Sequence, residues 1–299
     1  KYNRNYVLST TDPYFTQNGI SRSVDLFHRT SRPYLGDLNA YSLVNSGVGL
    51  RFGVPVTETD RVFVGVNLEQ TQIVAGTGLP VEYQNYANKF GSTSTAFPLT
   101  LGWAHDARDS ALVPTKGSMQ SFTADVSFSG DVRYARTNYK YQQYIPLNKK
   151  YTFAFNTDLG WGQGLNGQDY PLFKNFYVGG LGSVRGYQQS TLGASSTDVA
   201  TGNTLYEGGA KKIVLNGEFI GPFPGAGNDK TLRMFAFVDA GYAYADNQNI
   251  DWKLLRSSYG VGLSWISPMG PLRFSYGIPI KPRPQDKIQK LQFQIGTSF

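Results

Sequence analysis

Apolar and polar residues alternate strictly along most of this chain. "RVFVGVNLEQ" (61–70) sets Val62, Val64, Val66 and Leu68 on one side and Phe63, Gly65, Asn67 and Glu69 on the other. "SFTADVSFSG" (121–130) alternates Phe122, Ala124, Val126 and Phe128 with Thr123, Asp125, Ser127 and Ser129. "PLRFSYGIPI" (271–280) alternates Leu272, Phe274, Tyr276 and Ile278 with Arg273, Ser275 and Gly277. Successive side chains of a strand point to opposite faces, so this period predicts strands with one apolar and one polar face. The pattern gives thirteen of them, at roughly 3–11, 21–30, 41–54, 61–74, 95–107, 118–129, 132–146, 151–163, 211–221, 231–244, 254–267, 271–279 and 289–299.

Strands near ten residues suit a tilted crossing of a bilayer, whereas turns of a soluble sandwich recur every 8–12 residues. The connections also alternate in kind. "PVTETD" (55–60), "PLNKK" (146–150), "GPFPGAGNDK" (221–230) and "SPMGP" (267–271) are tight, while 75–94 and 164–210 are long. Short turns at one end and long loops at the other mark an outer-membrane barrel. The fold class is therefore all-β, a transmembrane antiparallel β-barrel. An odd strand count conflicts with the even numbers of bacterial barrels, and lipid does not tolerate an open sheet edge. The chain opens on "KYNRNYVLST", which reads as mid-strand. The expectation is that residues 1–299 are one barrel domain lacking its first strands.

Composition narrows the chemistry. Aromatics make up 14% of residues while mean hydropathy is −0.33, which suits an apolar outside and a wet inside. No run of 18 apolar residues offers a membrane-spanning helix, and the opening residues read as a strand rather than a signal peptide, as they would in a mature chain or in a piece of a longer one. With no cysteine, disulfides and cysteine zinc sites are excluded. His28 and His105 lack metal-type spacing, so no metal or cofactor is expected and no enzymatic chemistry. The net charge of +7 is spread out. Its densest spots, Lys211–Lys212 and Lys281–Lys287, read as solvated strand ends, so nucleic acid is not expected as a partner.

The stretch "VGGLGSVRGYQQS" (178–190) crowds four glycines around Arg185 and Tyr187 inside the long connection. Glycine lets a backbone take positive φ and approach another backbone closely. The residues alone admit two readings, a flexible loop with Arg185 in water or an arginine held inside the barrel. Periodicity turns Phe235, Phe237 and Asp239 inward on 231–244, and Asn216 and Glu218 inward on 211–221, with Ile213, Leu215 and Phe219 outward.

"GGLGSVRGYQQSTLG" resembles the sixth extracellular loop of the BamA family, the central barrel subunits of the outer-membrane barrel assembly machinery. "TTDPYFTQNGIS", "HDARDSALVPTKGS", "LNGEFIGPFPG", "MFAFVDAGYAY" and "LSWISPMGPLRFSYGIPI" resemble further family segments in the same order, so the likeness covers essentially the whole chain. The resemblance implies that the thirteen strands are strands 4–16 of a 16-stranded barrel. Three strands and the periplasmic POTRA domains would precede them, including the first strand, which the family uses to engage substrates. It also implies that the loop at about 164–210 enters the lumen, where Val184, Arg185, Gly186 and Tyr187 lock it and Glu218 and Asp239 receive Arg185. An arginine can fork onto carboxylates by charge-assisted hydrogen bonds.

The chain ends on Phe299 after apolar or β-branched residues at every second position, among them Phe293 and Ile295. This resembles the carboxyl-terminal signal of outer-membrane barrels, and it is also simply a last strand. Gly296 weakens that strand and permits a bend, which in the family lies at a weak seam. "HDARDSALVPTKGS" gathers Asp106, Arg108, Asp109, Pro114 and Gly117. Paired carboxylates can do acid–base work, but with no nucleophile near them a self-paired periplasmic turn is the reading.

The resemblance implies a multi-pass outer-membrane protein that inserts and folds β-barrel clients by strand addition at a weak seam. Its partners would be those clients, accessory lipoproteins of the complex and the lipid bilayer. The alternatives are a TamA-like assembly factor, a two-partner secretion transporter and a passive porin.

Overall fold

The computed structural model describes residues 3–31, 41–76, 79, 81–197, 204–225, 231–268 and 270–296. In chain order its elements are β1 (Arg4–Asp12), β2 (Ser21–Ser31), β3 (Tyr41–Pro55), β4 (Asp60–Ala75), α1 (Val81–Phe90), β5 (Thr93–Asp106), β6 (Gly117–Gly130), β7 (Tyr134–Pro146) and β8 (Thr152–Gly164). Then come β9 (Gly186–Tyr187), β10 (Ala194–Thr197), β11 (Thr204–Gly208), β12 (Lys211–Pro222), β13 (Leu232–Tyr244), β14 (Arg256–Ser267), β15 (Gly270–Ile280), β16 (Ile288–Gln289) and β17 (Leu291–Ile295). Single 3-10 turns occupy Leu172–Lys174 and Trp252–Leu254.

Thirteen strands form one antiparallel meander in the order β1 to β8, then β12, β13, β14, β15 and β17. Among the described residues the sheet is not closed: β1 and β17 are its two edges. The register explains the alternation. Leu8, Leu26, Val48 and Leu68 are cross-strand neighbours in one outward row. They are 73%, 57%, 42% and 41% exposed. Phe153, Phe219, Ala236, Val261, Tyr276 and Leu291 form a second such row. The polar parity lies on the inner face, the face against which the segment between β8 and β12 packs.

Three expectations are corrected. The connection 75–94 contains a helix, α1, whose Tyr83 and Tyr86 are buried against Tyr41, Ile73, Tyr134 and Tyr170. Its Glu82 in the first turn and Lys89 in the last suit the helix dipole. The predicted last strand, 289–299, is broken at Lys290: β17 pairs with β15, whereas Ile288 and Gln289 pair with Tyr187 and Gly186. Ile213 has outward parity yet is buried, in a cluster with Tyr242 and Tyr244 onto which Leu254 and Leu255 pack.

Candidate functional site

Arg185 occupies the inner face, 2% exposed, with Asp239 at 0% and Glu218 at 6%. Its Nε donates to Asp239 Oδ2 at 2.7 Å and its Nη2 to Asp239 Oδ1 at 2.6 Å. The Arg185 backbone N–H adds a third bond to Oδ2 at 3.0 Å. Nη1 donates to Glu218 Oε1 at 2.5 Å, and Arg273 on β15 donates to the same oxygen. Asn216 Nδ2 completes the shell, donating to Asp239 Oδ1 at 2.8 Å and to the Ser183 carbonyl at 2.5 Å. The two carboxylates thus face two guanidiniums, and each charge buried from water has an opposite partner. Burial works against the Arg185 cation, but Glu218 and Asp239 outweigh it and raise its pKa above the usual arginine value.

The register prepares this place. Glu218, Phe237, Gly260 and Gly277 stand in one row across β12 to β15. A Cβ on Gly260 would lie 2.6 Å from Phe237 Cζ, so the missing side chain lets the Phe237 ring lie flat over β14. Arg185 Cζ sits 3.6 Å from the centroid of that ring, a cation–π stack. Beside it the loop backbone crosses β15. Gly186 has φ +88, and its Cβ would meet the Gly277 carbonyl carbon at 3.0 Å. Tyr187 is fully buried and donates its hydroxyl to the Ser257 carbonyl at 3.2 Å. Its own carbonyl accepts from Gln292 Nε2 at 2.7 Å. Val184, also fully buried, packs toward Gly241, where a Cβ would lie 2.9 Å from Val184 Cγ2.

Val184, Arg185, Gly186, Tyr187, Glu218 and Asp239 are therefore brought together. Arg273, Gly277 and Gln292 join them and were not singled out from sequence. Alternation placed Arg273 and Gly277 on the polar parity, but nothing local names their partners.

The other predicted residues stand apart. Phe293 and Ile295 face outward, each 63% exposed. Gly296 has φ +102, open space about its Cβ position, and an N–H donated to the Pro271 carbonyl at 2.9 Å. Phe299 lies outside the described residues. The turn after β5 pairs within itself. Arg108 forks onto Asp106 at 2.9 and 2.8 Å, while Asp109 accepts from Thr115 N, Lys116 N and Thr115 Oγ1 at 2.8, 3.1 and 2.5 Å. Burial opposes the Asp109 charge, yet the Thr115 and Lys116 donors outweigh it and lower the pKa. Gly117 ends the turn at φ +101, with a would-be Cβ 2.1 Å from the Ala107 oxygen. Pro114 is buried and its carbonyl accepts from Arg233 of β13 at 3.4 Å. This turn and the loop residues Leu181 and Gly182 wall a cavity of about 170 Å³, with Arg185, Arg233 and Arg273 along its side.

His28 and His105 remain apart, hydrogen-bonded to Ser46 at 2.8 Å and Asp60 at 3.1 Å. Lys212 is not a solvated strand end: its ammonium is 2.5 Å from Asp158 and its side chain 12% exposed.

Residues 1–299 match the Omp85 superfamily domain. The chain is 35% identical to the outer membrane protein assembly factor BamA of Neisseria meningitidis, over 98% of this chain and 41% of that protein. It is 27% identical to BamA of Nitratidesulfovibrio vulgaris, over 92% of this chain and 33% of that protein. Among solved structures it is similar to BamA from Haemophilus ducreyi lacking POTRA domains 1–3. The TM-score is 0.88 at 26% identity, covering 97% of this chain and 61% of that one. CdiB from Acinetobacter baumannii shares the fold, with a TM-score of 0.60 at 15% identity over 97% of this chain and 49% of that one. The chain spans less than half the length of the two curated BamA proteins.

Proposed function

The chain belongs to the Omp85 superfamily, and from that premise we propose that it is the membrane-embedded part of an outer-membrane insertase that folds β-barrel clients into the bilayer. The observation that carries the reading is the Arg185 cluster. Passive conduction does not require a loop fixed to the inner face by two carboxylates, an aromatic ring and a cleared glycine row. The likeness to BamA proteins over nearly the whole chain supports the same reading.

The mechanism is edge-strand physics. A strand edge in lipid exposes N–H and C=O groups that have no water to turn to, so a client strand that adds there gains every ladder bond at once. Client folding supplies the free energy, and no cofactor or nucleotide takes part. The outward rows of exposed aliphatic and aromatic residues hold the sheet in lipid. The Arg185 cluster ties the loop to β12, β13 and β15, next to the last strand, and so fixes the region where addition occurs. Val184 to Tyr187 with Glu218 and Asp239 form the loop lock. Phe293, Ile295, Gly296 and Phe299 form the seam and assembly signal, and residues 106–117 a periplasmic turn. Unfolded clients, accessory lipoproteins and the bilayer are the partners.

The test is reconstitution of the full-length protein, with its upstream segments, in liposomes. An unfolded client barrel should fold into these membranes several-fold faster than into empty ones. Steady conductance or export of a secreted protein without such acceleration would assign the chain to the pore or transporter class.

A further inference from the structure

The loop meets the sheet a second time, on a different wall. Lys174, at the end of the 3-10 turn, sets its ammonium 2.5 Å from Glu69 Oε2 of β4, with side chains 18% and 15% exposed. The backbone of Lys174 is anchored as well. The Lys174 carbonyl accepts from Tyr170 Oη at 2.9 Å and from Arg136 Nε of β7 at 3.2 Å. Lys174 Nζ lies 5.5 Å from the centroid of the Tyr134 ring. Leu172 and Phe173 pack on the cluster that contains Tyr41 of β3, Ile73 of β4 and Tyr83 and Tyr86 of α1. Tyr83 Oη donates to the Leu172 carbonyl at 3.1 Å.

Five strands of the sheet (β5, β6, β7, β8 and β12) separate β4 from β13, where Asp239 holds Arg185. Lys174 and Arg185 are only 11 residues apart, a reach of at most about 40 Å when extended. One short limb therefore carries an ion pair at each end, each on a separate part of the wall. A segment already held at one end has less freedom to lose when the other end docks. An ammonium and a carboxylate this far from water are each costly alone, which keeps them together.

We propose that Glu69 and Lys174 are a positioning pair that turns the loop into a brace between the β3–β4 wall and the β13–β15 wall. Docking of Arg185 then depends on a contact across five intervening strands. A shift of β4 reaches the last strands through Gly186 on Gly277 and Tyr187 on Gln292. The brace stands on this geometry; only its consequence for client insertion rests on the function proposed above.

Amide hydrogen exchange on the full-length protein in lipid nanodiscs, without client, tests it. The variants are Glu69→Gln, Lys174→Met, their double, and Lys174→Arg as the charge-preserving control. Each neutralising substitution should lower protection of residues 184–188 about tenfold. The double should lose no more than either single, because the pair acts as a unit. Lys174→Arg should keep most of the protection, and β7 and β8 should stay protected throughout, which reports an intact sheet. Protection of 184–188 at the parent level in Glu69→Gln and Lys174→Met would overturn the brace, and so would losses that add in the double variant. Because no client is present, the outcome is independent of whether the protein inserts clients.

Discussion

Gly186 and Gly277 touch backbone to backbone: a Cβ on Gly277 would lie 2.6 Å from the Gly186 nitrogen and 2.9 Å from the Arg185 carbonyl carbon. No side chain fits between the loop and β15. Gly277→Val should therefore push the loop off the inner face while leaving the ladder of β14 and β15 in place. A loss of about 1–3 kcal/mol in loop docking is expected from such overpacking. Limited proteolysis of the folded protein reads it: cleavage within 178–192 should rise sharply. Parent-like resistance would mean that β15 and the loop yield to one another.

The turn after β5 owes its shape to Asp109, which accepts three bonds from Thr115 and Lys116. Asp109→Ala should loosen residues 107–116 by about 1–2 kcal/mol and release Pro114 from Arg233. Exchange at the Thr115 and Lys116 amides would quicken, with no change in β5 or β6. A variant that opens the whole β5–β6 pair instead would show that the turn nucleates the hairpin.

Glu207 on β11 gives a pH dependence. It is 7% exposed and accepts from Ser196 Oγ at 2.5 Å. Burial raises its pKa above the ordinary glutamate value, and the Ser196 bond offsets only part of this. A folded pKa above the unfolded one means that the folded state holds its proton longer. The associated stability is full below the unfolded pKa near 4.5 and is lost as pH rises through the folded value. The β10–β11 hairpin should thus exchange more slowly in mild acid than at neutral pH, once intrinsic rates are corrected. Glu207→Gln should abolish the difference. A hairpin that tightens as pH rises would contradict the sign.

Much of this was legible in the residue order. The strands were, because an apolar outside and a polar inside impose period two along each of them. The inward parity of Glu218 and Asp239 followed from the same rule. Helix α1 was missed although Tyr83, Tyr86 and Phe90 fall at i, i+3 and i+7, a helical spacing that a segment otherwise rich in polar residues obscured. The split of the last strand was not legible. Its cause lies far away in sequence, where Gly186 and Tyr187 offer Ile288 and Gln289 an edge that competes with β15. Glu69 and Lys174 are 105 residues apart, and no local pattern joins a glutamate in mid-strand to a lysine in a loop. Arg273 shows the same limit: alternation gave its face, and only the folded sheet gave it Glu218.

The most direct measurement is a double-mutant cycle on client folding. The full-length protein, Arg185→Ala, Asp239→Ala and the double variant would each be reconstituted in liposomes, and folding of one unfolded client barrel timed in each. Breaking a buried charge pair from either side costs roughly 3–5 kcal/mol, reduced where water enters the inner face. Each single variant should therefore lose most of the parent's acceleration, and the double should be no worse than either. Losses that simply add, or a parent-like rate in Arg185→Ala, would contradict the claim that this pair holds the loop for insertion.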